Sequence, residues 1–481
     1  MKKIFFSITF LSLFAVGCDN NTDEFNNNKD ASYDVTPEVL FSNAEKELVD
    51  QMTTPSVNLN PFRLLSQYWS QTTYNTESRF NFTTRAVPDN HWNNLYRQVL
   101  GNLESAKGLI AAQPASAEQK NKLAIIEILQ VYTFQILVDT YGDIPYSQAL
   151  NVKILLPAYD DDATIYPKLI TRLDAAIAEL DDSATSWTSD LLLGGDVAGW
   201  EMFANNLKVK LGLNLADVNP GLAKSTVEAG FAGGVTLTNA DNITLVYPGS
   251  APNYSPLFAE LVASNRNDFV GSNTFVNALK SVGDPRIDVY FNSVNGTHIG
   301  GVFGALNGNF ADFSQIGNRF RVAGLPAELF DATELNFYLS EAAARGYSVG
   351  NTAEYYYEQA IRASFEYCGV EGVDTYLAKP EVAYATAAGD YKQKIGTQAW
   401  YGLYNRAFEA WTSYRRLDYP ALAAPANAVA AADAQVPKRL TYPVSERTTN
   451  TTQYQAAVAA IGVDRLRTHV FWDVVDTPAK N

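Results

Sequence analysis

Side chains able to do chemistry are unevenly supplied in this chain. Its three histidines, His91, His298 and His469, stand far apart in unlike surroundings, so no imidazole spacing fits a metal site. Neither HExxH, nor a phosphate-binding GxxxxGK[ST] loop, nor a glycine-rich dinucleotide motif occurs. Two carboxylates about 5–10 Å apart would suffice for glycoside hydrolysis, but no local pattern singles out a pair among the 52 acids. Binding is better represented. A ligand with apolar faces and a rim of hydroxyls calls for an exposed aromatic ring beside planar hydrogen-bonding groups. Two stretches have that composition. The first runs from Tyr68 to Asn75 and on to Arg79, with Trp69, Tyr74, Asn75 and Arg79 as candidate ligand-binding residues. The second is rich in Gly and Asn and offers Phe303, Asn307, Phe310 and Phe313. Core packing accounts for Trp69 equally well. No catalytic residue, metal ligand or cofactor is expected.

Those stretches need a framework, and residues 123–150, LAIIEILQVYTFQILVDTYGDIPYSQAL, begin it. From Leu123 to Val138 apolar side chains fall on every side of a helix, which places it inside the protein. Glu127, Gln130 and Gln135 interrupt the run, which is too short and too polar to span a bilayer. Gly142 suits a helix stop with positive φ, and Pro145 forces Ile144 out of helical geometry. Asp160, Asp161 and Asp162 precede a helix over 163–180; they invite a calcium reading, but acids at a helix start are favoured by its dipole anyway. Further helices are expected from Pro37 to about Asp50, within NPFRLLSQYW, and over 91–112, 199–217, 332–346, 353–368 and 396–416. Trp92, Trp200, Trp400 and Trp411 lie on helical faces and read as core, whereas Trp187, in DSATSWTSD, reads as exposed. Residues 218–330 and 421–481 lose the helical period and read as loop-rich, with a few short strands.

A formal charge of −16 argues against nucleic acid as a partner and tilts against polyanions in general. At the start, Lys2 and Lys3, an apolar run from Ile4 to Val16 and the small residues before Cys18 read as an export signal over 1–17. Small residues directly before a cysteine resemble the bacterial lipobox, which would put lipid on Cys18. Residues 18–34, rich in Asn and Asp, then read as a flexible lipidated tether. Lipidation of Cys18 leaves Cys368 without a partner, so stability must come from packing rather than a disulfide.

The string VDTYGDIPYSQAL resembles the hallmark segment of the SusD/RagB family, outer-membrane nutrient-binding lipoproteins of Bacteroidetes. The Gly-Gly-Asp…Trp segment from Gly194 to Trp200, Asp284-Pro285-Arg286 and the pair Tyr290-Phe291 extend the resemblance along the chain. It implies a mainly α fold with about four degenerate tetratricopeptide-like helical pairs, an irregular loop-rich lobe and a single ligand-binding domain over 35–481. It also implies a non-enzymatic, lipid-anchored protein on the outer face of the outer membrane. Such a protein would bind oligosaccharide or polysaccharide and deliver it to a TonB-dependent, SusC-like transporter. In SusD-like proteins the glycan site draws on an early aromatic loop and on loops between helical pairs, and the two stretches above occupy similar places. Two other readings stay open: the same lid role in peptide import, as in the RagB branch, and a tetratricopeptide-like scaffold.

Overall fold

Side-chain caps decide where many of the helices begin. Ser116, Asp161, Asp196, Asn219, Asp331, Thr352 and Asp390 each accept a hydrogen bond from a backbone N–H in the first turn they precede, satisfying donors that a helix end leaves orphaned. The computed structural model describes residues 35–474. The export signal over 1–17, Cys18 and the tether to residue 34 lie outside the described residues.

In chain order the main elements are α1 (Pro37–Thr53), β1 (Trp69–Gln71), α2 (Val87–Asn93), α3 (Gly101–Ala111), α4 (Ala117–Tyr141), α5 (Asp162–Glu179), α6 (Val197–Asn214) and α7 (Pro220–Ala232). Next come β2 (Ile243–Leu245), β3 (Phe269–Gly271), α8 (Asn273–Ser281), β4 (Ala327–Phe330), α9 (Ala332–Ala344) and α10 (Ala353–Cys368). The chain closes with α11 (Tyr391–Gly402), α12 (Ala407–Leu417), α13 (Val444–Thr449) and α14 (Thr451–Ile461). Asn94–Leu100, a π-helical stretch, joins α2 to α3 without a break. From Pro37 onward these elements form one compact unit.

Four helical pairs, α4–α5, α6–α7, α9–α10 and α11–α12, make the frame. As expected from its composition, α4 is the central helix: long and apolar enough to cross a membrane, yet 89% of its most apolar window is buried within the protein. Gly142 ends it at φ +79°, and its N–H closes on the Val138 carbonyl at 2.8 Å. Glycines let α6 and α7 cross closely. A Cβ at Gly212 would stand 2.7 Å from Val227 Cγ2, and one at Gly230 would stand 2.8 Å from the Asn205 carbonyl.

Two short antiparallel sheets tie distant segments together. β1 pairs with β3 (Trp69 opposite Gly271, Gln71 opposite Phe269), and β2 pairs with β4 (Ile243 opposite Phe330). Several expectations fail in detail. NPFRLLSQYW holds only a four-residue helix, Phe62–Leu65, before Trp69 enters β1. The loop-rich segment 218–330 contains the 13-residue α7, started by Asn219 and Pro220. The run 396–416 is two helices, broken where Tyr404 leaves helical geometry to stack on Tyr290, ring centroids 4.2 Å apart. The closing region carries α13, only six residues long, and α14, whose alanines give no amphipathic period to read. Trp187 is fully buried, stacked on Phe41 at 4.2 Å with its N–H on the Lys122 carbonyl.

Candidate functional site

β1 turns Trp69 inward. Its indole is 1% exposed and donates to Tyr404 Oη at 2.8 Å, with the Phe269 ring 5.2 Å away. Phe303, 8% exposed, packs toward Phe80, centroids 6.0 Å apart. Neither ring is the exposed platform that composition suggested; both are core, Trp69 turned inward by β1 and Phe303 by a loop that folds back toward Phe80.

The polar candidates behave differently. Asn75 Nδ2 donates to the Gly304 carbonyl at 2.9 Å, spanning 229 positions. Asn307 Nδ2 donates to the Gln71 carbonyl at 2.9 Å. The two stretches chosen separately by composition are therefore sewn into one surface. A third segment joins them: Arg79 Nε donates to the Asn427 carbonyl at 2.8 Å, and Asn427 Nδ2 donates to the Gly304 carbonyl at 2.8 Å. Gly304 is required there. Its φ is +78°, and a Cβ would stand 2.3 Å from Pro425. Phe310 lies further along the same loop, half-buried, in a 3₁₀ turn capped by Asn309.

Half-buried Tyr74 sits at the centre of a charged frame. Its hydroxyl donates to Asp268 Oδ2 at 2.9 Å and accepts from Arg266 Nη2 at 3.2 Å. The Arg85 guanidinium lies 4.6 Å from its ring centroid, a favourable cation–π distance. Burial and then the Asp268 carboxylate push the phenol well above its usual range, so it stays a donor at any working pH. Glu77, fully buried, accepts from Gln71 Nε2 at 2.8 Å and from Arg85 Nε at 2.7 Å. Arg266 pairs with Asp268 at 2.6 Å. The outcome is a patch with the Arg85 and Arg266 guanidinium groups around one tyrosine, with Arg79 and Asn427 on the seam that begins at the next residue, Asn75, and with exposed Val302 and Leu306 on the neighbouring loop. Such a patch hydrogen-bonds hydroxyls and covers apolar faces. Arg85, Arg266 and Asp268 escaped the sequence reading because no local spacing joins them to Tyr74, and Asn427 because none joins it to Arg79 and Gly304; only the folded chain does.

The acid trio is spoken for by local donors. Asp160 Oδ2 accepts from the Tyr146 and Ser147 N–H groups at 3.1 and 2.8 Å, and Asp161 caps α5. Asp162 Oδ2 accepts from the Phe471 N–H at 3.0 Å, and Asp143 Oδ1 accepts from the Asp162 N–H at 3.0 Å. Oxygens of Asp143, Asp161 and Asp162 lie within 4.8 Å of one another. Burial, then Asp143, pushes the Asp162 carboxyl up to about 7. The string Gly346-Tyr347-Ser348-Val349-Gly350 has the spacing of a hydrolase nucleophile turn, but it joins helix α9 to helix α10 rather than a strand to a helix.

Comparison with known proteins sets this geometry in context. A family model described as SusD-like, starch-binding and associating with the outer membrane, matches residues 28–443. No curated protein sequence matches the chain. A chitin-binding SusD homologue from Flavobacterium johnsoniae is 25% identical with TM-score 0.77, over 91% of this chain and 99% of its own. A SusD homologue from Bacteroides uniformis is 27% identical with TM-score 0.77, over 91% and 99% of the two chains. One from Bacteroides ovatus, 23% identical with TM-score 0.75 over 91% and 99%, shares the fold. The chain, with its helical pairs and its Tyr-Gly-Asp-Ile-Pro-Tyr turn after the central helix, belongs to the SusD-like family.

Proposed function

We propose that this protein captures oligosaccharide or polysaccharide at the outer face of the outer membrane, held there by lipid on Cys18. From there it passes the ligand to a TonB-dependent, SusC-like transporter without cleaving it. The observation that carries this reading is the patch around Tyr74, where three chain segments are hydrogen-bonded together and present planar donors beside apolar side chains. The chitin-binding relative supports a glycan ligand. Within the patch, Tyr74, Asn75 and Asn307 set the shape, Arg79 reads hydroxyls, and Leu306 and Phe310 cover apolar sugar faces. Trp69 and Phe303 support the patch from beneath.

Calorimetry of the lipid-free protein against a panel of neutral glycans tests this. Arg79→Ala is expected to weaken binding roughly tenfold, the loss of about 1.4 kcal/mol, with the melting temperature unchanged. Absence of heat across the panel would reject the glycan class. Heat with peptides instead would assign the same patch to peptide capture.

A further inference from the structure

The two ion pairs that frame Tyr74 face the same way. Arg85 Nε bonds Glu77 Oε1 at 2.7 Å, and Arg266 Nε bonds Asp268 Oδ2 at 2.6 Å. In each pair the cation lies outside and the anion inside: the side chains of Arg85 and Arg266 are 33% and 50% exposed, those of Glu77 and Asp268 0% and 8%. Each carboxylate also accepts from within, Glu77 Oε2 from Gln71 Nε2 at 2.8 Å and Asp268 Oδ2 from the Tyr74 hydroxyl at 2.9 Å. The guanidinium groups keep donors to spare. Both terminal nitrogens of Arg85 and Nη1 of Arg266 have no hydrogen-bond partner among the described residues, and Arg266 Nη2 reaches only the Tyr74 hydroxyl, at 3.2 Å. Neither side chain is loose. Their Cζ atoms lie 4.6 and 5.7 Å from the centroid of the same Tyr74 ring, so a cation–π contact holds each guanidinium in addition to its carboxylate.

We propose that the glycan held at the Tyr74 patch carries carboxylates, as a polymer containing uronic acid does, and that Arg85 and Arg266 bind one of them. This assignment rests on the glycan capture proposed above and narrows it. A neutral amide serves a hydroxyl as well as a guanidinium does. A planar guanidinium fork, by contrast, matches the two oxygens of a carboxylate, in bonds roughly twice as strong as neutral ones. Arg79, on the adjoining seam, pairs with no carboxylate among the described residues and spends its Nε on the Asn427 carbonyl. Arg79, Arg85 and Arg266 together therefore answer to two carboxylates, both turned inward. The net charge of −16 opposes an acidic polymer only at long range. At about 0.15 M salt the Debye length is about 8 Å, so guanidiniums in direct contact with the ligand outweigh charges beyond that distance.

The test pairs oligogalacturonate, oligomannuronate and glucuronoxylan fragments each with the neutral sugar made by reducing its carboxyls to alcohols. Calorimetry of the lipid-free protein at about 0.15 M salt should find at least one acidic form bound roughly tenfold tighter than its reduced partner. That ratio should shrink toward one as salt rises to about 0.5 M. Arg85→Gln and Arg266→Gln should each cut the ratio severalfold; because both sugars are measured on one preparation, partial unfolding does not mimic the loss. Equal affinity for both members of every pair overturns the carboxylate assignment and leaves glycan capture standing. A ratio that neither substitution lowers places the preference elsewhere and overturns it too. Tighter binding of sulfated galactan oligosaccharides than of any uronate assigns the arginines to sulfate, and heat with acidic peptides in place of the sugars assigns them to peptide; either result overturns the proposal. No heat with either member of any pair rejects glycan capture and this assignment with it.

Discussion

Asp162 shows how far one carboxyl can depart from its solution behaviour when it is buried and a neighbour, Asp143, shares its sign. Its folded value of about 7 lies well above the unfolded one near 3.8. The folded state therefore holds the proton more tightly, and the stability this gives is present below the unfolded value and lost as pH rises through about 7. The expected slope is on the order of a few kcal/mol across that window. Urea unfolding between about pH 4.5 and 8 measures it, and Asp162→Asn should flatten the curve relative to wild type. His91 acts in the opposite sense. Burial holds its imidazole down to about 3, so its contribution is present above the ordinary histidine value near 6.5 and is lost as pH falls toward about 3. Gln51 Nε2 contacts His91 Nδ1 at 2.7 Å, which suits the neutral ring as acceptor.

At the scale of elements, what the sequence made legible divides by the range of the interactions involved. α4, α5, α6, α9 and α10 were readable because their caps, periodicity and stops are local, and the central helix could be placed inside from Leu123 to Val138 alone. Polarity was the wrong guide for Trp187: a ring in a Ser- and Thr-rich stretch is buried by Phe41, 146 positions upstream. In the same way β1 is made by its partner β3, not by its own three residues. The two candidate stretches were picked out by composition, but Arg85, Arg266 and Asp268 became neighbours of Tyr74 only through folding. A prediction belongs here. Trp69→Ala should cost about 3–5 kcal/mol of stability and reduce ligand binding only in proportion to the unfolded fraction, whereas Arg79→Ala should reduce binding in fully folded protein. Denaturant titration beside calorimetry separates the two.

At the scale of the whole molecule, cohesion among the described residues comes from packing and from a buried ionic network, with Cys368 a free thiol. Lys210 bonds Glu409 at 2.6 Å and reaches Glu334 at 3.2 Å, all three buried, while half-buried Arg406 holds Glu334 at 2.8 Å. These charges join α6, α9, α11–α12's connection and α12 at one point. Lys210→Met should therefore cost about 3–5 kcal/mol, because the two carboxylates lose a buried partner; thermal unfolding would measure it. Cys368 is 5% exposed, and burial pushes its thiol up to about 11, so it is unreactive. Reductant should leave the melting temperature of the lipid-free protein unchanged.

The stitching of the Tyr74 patch has a consequence for biogenesis. Its pieces come from residues near 75, 268, 304 and 427, so a chain interrupted anywhere before the last of these cannot assemble it. A ribosome must finish almost the entire polypeptide before these segments can meet, so the patch is among the last surfaces of the chain to take shape.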